Sequence, residues 1–307
     1  MGSAGSTDLS RPGARRRSRR LGALALAPLL VLLALFGAAK CYPAGTRVVV
    51  FMQGIYTTYD ASGTQTSLVE AHRFDTLKAA FVDKGYSASA LLDFSYAGGT
   101  VTSAGVWQPA PYTCDQTDRL PADNLAPLEQ MLSDYRARHR NVHFTLVGHS
   151  LGGYLAFLEG AREAGRPPAA KLGVDVVVTF DAPIKGISAD KKPIIDLLPC
   201  TKTYLAGADL VAQHLDPATP AVRQYQAAVM AQQGVRLATL GNSLDCLYNT
   251  AHCIGGTYAD DSQTQFLPGE ASISNDYKLA ASPFASHDQI LVDPNAVHDA
   301  VTFVGAP

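Results

Sequence analysis

The stretch LVGHSLGGYL, residues 146–155, decides how this chain is read. Its centre, Gly148-His149-Ser150-Leu151-Gly152, has the G-x-S-x-G spacing of a nucleophile elbow, where a serine sits on a sharp strand-to-helix turn. A serine between an apolar strand and a helix is also an ordinary N-cap, whose side chain accepts a backbone N–H. The two readings differ in what they ask of the neighbours. A cap does not require small residues on both sides, whereas a tight elbow needs them so that strand and helix can approach. Gly148 and Gly152 meet that need and favour the elbow.

The surroundings repeat the same grammar. HFTLVGHS (143–150) reads as a strand and LGGYLAFLEGAREAG (151–165) as a helix with Tyr154, Leu155 and Leu158 facing inward. TRVVVFM (46–52) is a continuous β-branched run, expected of a strand buried on both faces. SLVEAHRFDTLKAAFVDKG (67–85) puts Phe74, Leu77 and Phe81 on one stripe and ends at Gly85, a C-cap. SASALLDFSY (87–96) predicts a strand; NLAPLEQMLSDYRARHRN (124–141) predicts a helix with Leu125, Leu128, Leu132 and Tyr135 on its apolar face. VDVVVTFDAP (174–183), VRLATLGNSLD (235–245) and DQILVDP (288–294) predict further strands. Strands alternating with helices imply βαβ units: an α/β protein with a mostly parallel central sheet and helices on both faces.

The 307 residues are 47% hydrophobic and 17% charged, enough for a sizeable core and against disorder. Residues 1–39 stand apart. RPGARRRSRR (11–20) carries six arginines and precedes LGALALAPLLVLLALFGAA (21–39), which has no charge. This pattern predicts export, as a cleaved signal peptide or a membrane anchor, with the remaining residues 40–307 outside the cytoplasm. Six of the 25 basic residues and one of the 27 acidic residues lie in that leader, so the body keeps 19 and 26. An acidic body excludes nucleic acid as a partner. Five cysteines in an exported chain suggest disulfides, with Cys246–Cys253 and Cys114–Cys200 the preferred pairs and Cys41 left over. The absence of a C-x-x-C pair argues against structural zinc.

A serine hydroxyl needs a base, and the base needs an orienting group. In hydrolases with this elbow the acid and then the histidine follow the serine. Of His214, His252, His287 and His298, His287 is the candidate base, on a loop just before a helix start at Asp293-Pro294. His298 reads instead as a helix residue beside the stripe Val297, Val301 and Val304. Asp245, after the run VRLATLGNSLD, is the preferred acid; Asp181, ending VVVTFDAP, is its rival, and Asp209 is a weaker third. Leu151 and Ile55 would supply the two oxyanion N–H groups, one opening the helix after the serine and one on the loop after the early strand. No metal or organic cofactor is expected.

On these motifs the chain resembles the α/β-hydrolase-fold serine hydrolases of the lipase/esterase type, over roughly residues 45–306. LDPATPAVRQYQ (215–226) is similar to a segment of lipases related to the GPI inositol-deacylases. Many such enzymes have His-Gly or Pro-Gly after the early strand, where this chain has Gln53-Gly54. The resemblance implies an acyl-enzyme mechanism on carboxylic esters. The long connection at about 184–234 is apolar enough for a lid insertion, or for plain packing helices. A second long loop, 95–114, holds the only tryptophan, Trp107. An apolar surround with no arginine-rich pocket favours a hydrophobic acyl-ester or lipid substrate. Acyl transfer by the same residues is the alternative, and a non-catalytic binding protein on this fold is the third reading.

Overall fold

A computed structural model describes residues 45–59, 65–66, 74–187, 205–242, 272–277 and 286–307. The expected leader and Asp245, Cys246, Cys253, Cys200, Cys41 and His252 lie outside them.

The core is a six-stranded sheet. Its strands are β1 (Thr46–Met52), β2 (Leu91–Asp93), β3 (Val142–His149), β4 (Val174–Phe180), β5 (Arg236–Gly241) and β6 (Ser272–Asp276). They lie side by side in the order β6-β5-β4-β3-β1-β2, and every pairing is parallel. Alternation along β1 shows why the strands read as continuous apolar runs. Val48, Val50 and Met52 enter the core on one face, Val49 and Phe51 the core on the other, and all five are fully buried.

Helices α2 (Pro121–Arg138), α3 (Leu151–Gly165), α4 (Leu205–Leu215) and α5 (Thr219–Gln232) contribute to the first core. Helices α1 (Phe74–Asp83) and α6 (Pro294–Val304) cover the other face. On α1 the expected stripe is buried: Phe51 meets Phe74 and Phe81 with ring centroids 5.3 and 6.0 Å apart. Such aromatic contacts contribute roughly 0.5–1.5 kcal/mol each beyond area burial. On α6 the Asp293 side chain accepts the Asn295 and Ala296 N–H groups, both at 3.0 Å, so the helix starts at Pro294 as expected. The result is an α/β architecture, a parallel central sheet with helices on both faces.

One expected strand is corrected. DQILVDP (288–294) is not a strand: Ser286–Gln289 is a single helical turn leading into the α6 cap. Ile290 and Leu291 are buried in the α1/α6 core, so an apolar run here reflects packing of a turn and not a sheet position. The last described strand is the polar Ser272–Asp276, which pairs with β5 at the sheet edge. The strand expected at 87–96 is likewise short, Leu91–Asp93, preceded by a 3₁₀ turn at Ala88–Ala90.

Candidate active site

Ser150 stands at the junction of β3 and α3 with φ 54° and ψ −125°. A non-glycine residue at positive φ is uncommon and marks strain held in place by its surroundings. Although Ser150 occupies the N-cap position, its side chain makes no capping hydrogen bond. That answers the cap reading: the hydroxyl is not spent on the helix end. The backbone holds the turn instead. Ser150 N–H donates to Phe180 O at 2.9 Å, and Ser150 O accepts from Tyr154 N–H at 3.1 Å.

The glycines are required by contact. A Cβ on Gly148 would come within 2.5 Å of Gly153 N and onto the Gly152 backbone. One on Gly152 would strike the Met52 and Gln53 carbonyl oxygens, and one on Gly153 would lie 2.8 Å from Ala182 Cβ. The first turn of α3 therefore rests directly on the end of β1. Leu151, at the start of that turn, has an N–H with no intrahelical acceptor.

The loop carrying Ile55 is braced around it. Gln53 O accepts from Tyr96 OH at 2.6 Å, and Gly54 O accepts from Thr57 Oγ1 at 3.0 Å. Tyr56, at φ 65°, donates its N–H to Thr117 Oγ1 at 2.8 Å. Sequence reading missed these braces because Tyr96 and Thr117 lie 43 and 61 residues from their partners.

His287 sits in the turn Ser286–Gln289, half-buried, beside the elbow. Its ring lies against that of His149, centroids 4.5 Å apart, and its backbone carbonyl is 2.9 Å from His149 Nε2. The other described histidines lie elsewhere or serve otherwise: His298 is exposed on α6, 3.5 Å from Thr302 Oγ1, and His214 is exposed near the end of α4.

Asp245 lies outside the described residues. Asp181 directly follows β4, buried, with φ 42°. Its N–H donates to Leu240 O at 2.9 Å and its Oδ1 accepts the Asn242 N–H at 2.6 Å. The carboxylate thus meets the chain leaving β5, the same chain that continues to Asp245. Asp209 accepts from Gln213 on its own helix.

The described part of the connection between β4 and β5 includes residues 181–187, α4 and α5, fastened to α3. Buried Arg223 donates from Nε to Ile184 O at 3.0 Å and from Nη2 to Tyr154 OH at 2.7 Å and Gln213 Oε1 at 2.5 Å. Tyr154 OH donates to Gln213 Oε1 at 2.5 Å, and burial holds the phenol above its usual pKa range. A cleft of about 250 Å³ lies beside this network, lined by Leu125, Tyr154, Leu158, Asp209 and Gln213 among others. Trp107 is buried, its Nε1–H donating to Asp93 O at 2.8 Å. Among the described residues, no three His, Cys, Asp or Glu side chains converge as metal ligands. No described helix is long and apolar enough to cross a membrane. Cys114 is disulfide-bonded, and the other four cysteines lie outside the described residues.

No family model matches the sequence, and comparison with curated proteins finds no match. Solved structures do resemble the chain. A lipase-esterase related protein from Clostridium acetobutylicum is 11% identical with a TM-score of 0.47, over 85% of this chain and 97% of that one. A carboxylesterase structure from the thaumarchaeon Nitrososphaera gargenis is 10% identical with a TM-score of 0.48, over 85% and 90%. A cutinase-like protein from Cryptococcus is 14% identical with a TM-score of 0.40, over 86% and 97%. Likenesses this distant leave the reaction to the chain's own residues. The fold itself is plain from strand order and elbow: this is an α/β-hydrolase-fold chain.

Proposed function

We propose that the protein is a serine carboxylic-ester hydrolase acting on hydrophobic acyl esters. The observation that carries this reading is Ser150 at φ 54° with no capping bond, a strained serine presented at the carboxyl edge of the sheet. The Ser150 hydroxyl attacks the ester carbonyl while the His287 imidazole takes its proton. The N–H groups of Leu151 and Ile55 receive the oxyanion; losing one such donor typically costs about 3 kcal/mol. His287 then protonates the leaving alcohol, giving an acyl-enzyme, and deprotonates the water that releases the acid. Asp245 orients the imidazole, with Asp181 as the alternative acid.

Residues 1–39 are proposed to export the chain, as a cleaved signal or an anchor; full-length soluble protein in the cytosol would overturn this. Mapping of unreduced peptides tests the Cys246–Cys253 pair.

The chemistry is tested with a fluorophosphonate probe and a ladder of p-nitrophenyl esters. The wild type should be labelled and Ser150→Ala should not. Equal labelling of both would overturn the reading. Adding an alcohol acceptor separates hydrolysis from acyl transfer, since a transferase forms the new ester in preference to free acid.

A further inference from the structure

His149 is fully buried at the end of a largely apolar strand, where a polar ring must find a partner. Its Nε2 lies 2.9 Å from the main-chain carbonyl oxygen of His287, 138 residues further along the chain. A carbonyl oxygen only accepts, so Nε2 carries the proton and His149 is the donor. The same imidazole packs against the His287 ring at 4.5 Å between centroids, the planes tilted by 46°. One contact therefore holds the backbone of His287 and the other limits where its ring can lie.

We propose that His149 is a positioning residue, holding the base in register with the nucleophile. The inference rests on the reading of His287 as that base. His287 belongs to a helix of only four residues, Ser286–Gln289, and one turn cannot fix its own backbone. A displacement of about 1 Å between reacting groups costs on the order of 10²-fold in rate. Here the chain solves the problem by adjacency. Ser150 and His149 share one peptide bond, and the elbow that holds Ser150 is rigid because three glycines pack backbone on backbone. Attaching His287 to His149 ties the base to the same rigid turn. The donor must be a side chain that reaches a carbonyl from a buried strand end, and the Nε2–H of His149 supplies it.

Four measurements on the full chain test this. In ¹⁵N-histidine spectra of the wild type, His149 should be the Nε2–H tautomer; the Nδ1–H tautomer would overturn the proposal without any variant. His149→Phe keeps a ring but removes the donor. With active sites titrated, it should lower kcat and the fluorophosphonate labelling rate about 10–100-fold, with KM changed less than about twofold. His149→Gln, which restores an N–H donor, should recover part of the loss. Wild-type rates in His149→Phe, or equal losses in both variants, would refute the hydrogen bond's role. His287→Ala separates the two readings. If it keeps labelling and turnover, the assignment of the base fails; if it is inactive while His149→Phe is unaffected, only the positioning role falls.

Discussion

At the carboxyl edge of the sheet, the left-handed residues after β1, β3 and β4 are Tyr56, Ser150 and Asp181, with φ of 65°, 54° and 42°. At the amino edge the residues just before the same three strands are Gly45, Asn141 and Gly173, with φ of 73°, 57° and 93°. The demand on the backbone is similar, but the residues that meet it differ. Glycine, asparagine and aspartate enter this region at little cost, whereas other side chains held there store roughly 1–3 kcal/mol each. The amino edge is built for stability. Glu163 accepts the N–H groups of Leu172, Gly173 and Val174, and Arg166 bridges Glu129, Glu159 and Glu163. The carboxyl edge keeps two strained residues, Tyr56 and Ser150, and the Ser150 side chain is the proposed nucleophile. A chain selected for stability alone would place glycine at Ser150.

The largest effect should come from removing the chemistry at the strained edge. Ser150→Ala and His287→Ala should each lower kcat by on the order of 10⁶-fold if nucleophile and base act as a unit, and the double variant should lose no more. Additive losses in steady-state kinetics would show that the two act separately.

Next is the acid. The orienting carboxylate, changed to its amide, should cost on the order of 10⁴-fold in kcat because the wrong tautomer is held. Asp245→Asn is expected to show this and Asp181→Asn to be mild. The reverse would make Asp181's buried, positive-φ geometry functional, and would remove Asp245 from the site.

The two ends of α3 give a stability test of the same contrast. Gly152→Ala should abolish activity and lower the unfolding free energy by several kcal/mol, because its Cβ meets backbone carbonyls that cannot yield. Gly165, at the far end of the helix, has nothing within 4 Å of its Cβ position. Gly165→Ala should be neutral or stabilising by up to about 1 kcal/mol in chemical denaturation. If Gly152→Ala were tolerated, the close approach of α3 to β1 would not be required.

A pH-dependent effect on stability belongs to α3's charged half. Burial pushes the Glu159 carboxyl up from 4.5 to about 7, against the opposing pull of Arg166. Between those values the folded state keeps a proton that the unfolded chain has released. Stability should therefore fall as pH rises through that window, by at most about 3 kcal/mol, and level off above it. Glu159→Gln should flatten the slope in urea titrations at pH 5 and 7.5, chosen as roughly the two ends of the window. An unchanged slope would assign it to other groups.

Much of this was legible in the residues. β1 and α3 have the bounds expected from TRVVVFM and LGGYLAFLEGAREAG, because apolar period and glycine placement are local properties that burial reinforces. The stripes Phe74–Leu77–Phe81 and Val297–Val301–Val304 are buried for the same reason. DQILVDP misled because a short apolar run packs equally well as a turn, and the polar SISND escaped because an edge strand needs little apolar surface.

Within the candidate site the sequence alone determined the spacing of the elbow and the need for Gly148 and Gly152. Those glycines favoured the elbow over a helix cap, but whether the Ser150 hydroxyl is spent on the helix end rests on φ and on one hydrogen bond, which no local pattern spells out. That was decided by the tertiary structure, which holds Ser150 by Phe180 and forces α3 onto β1. The pairing of His149 with His287 is of the same kind. Across 138 residues no local pattern links two imidazoles, and only the sheet, by bringing its strand ends and the turn before α6 to one edge, sets them 4.5 Å apart.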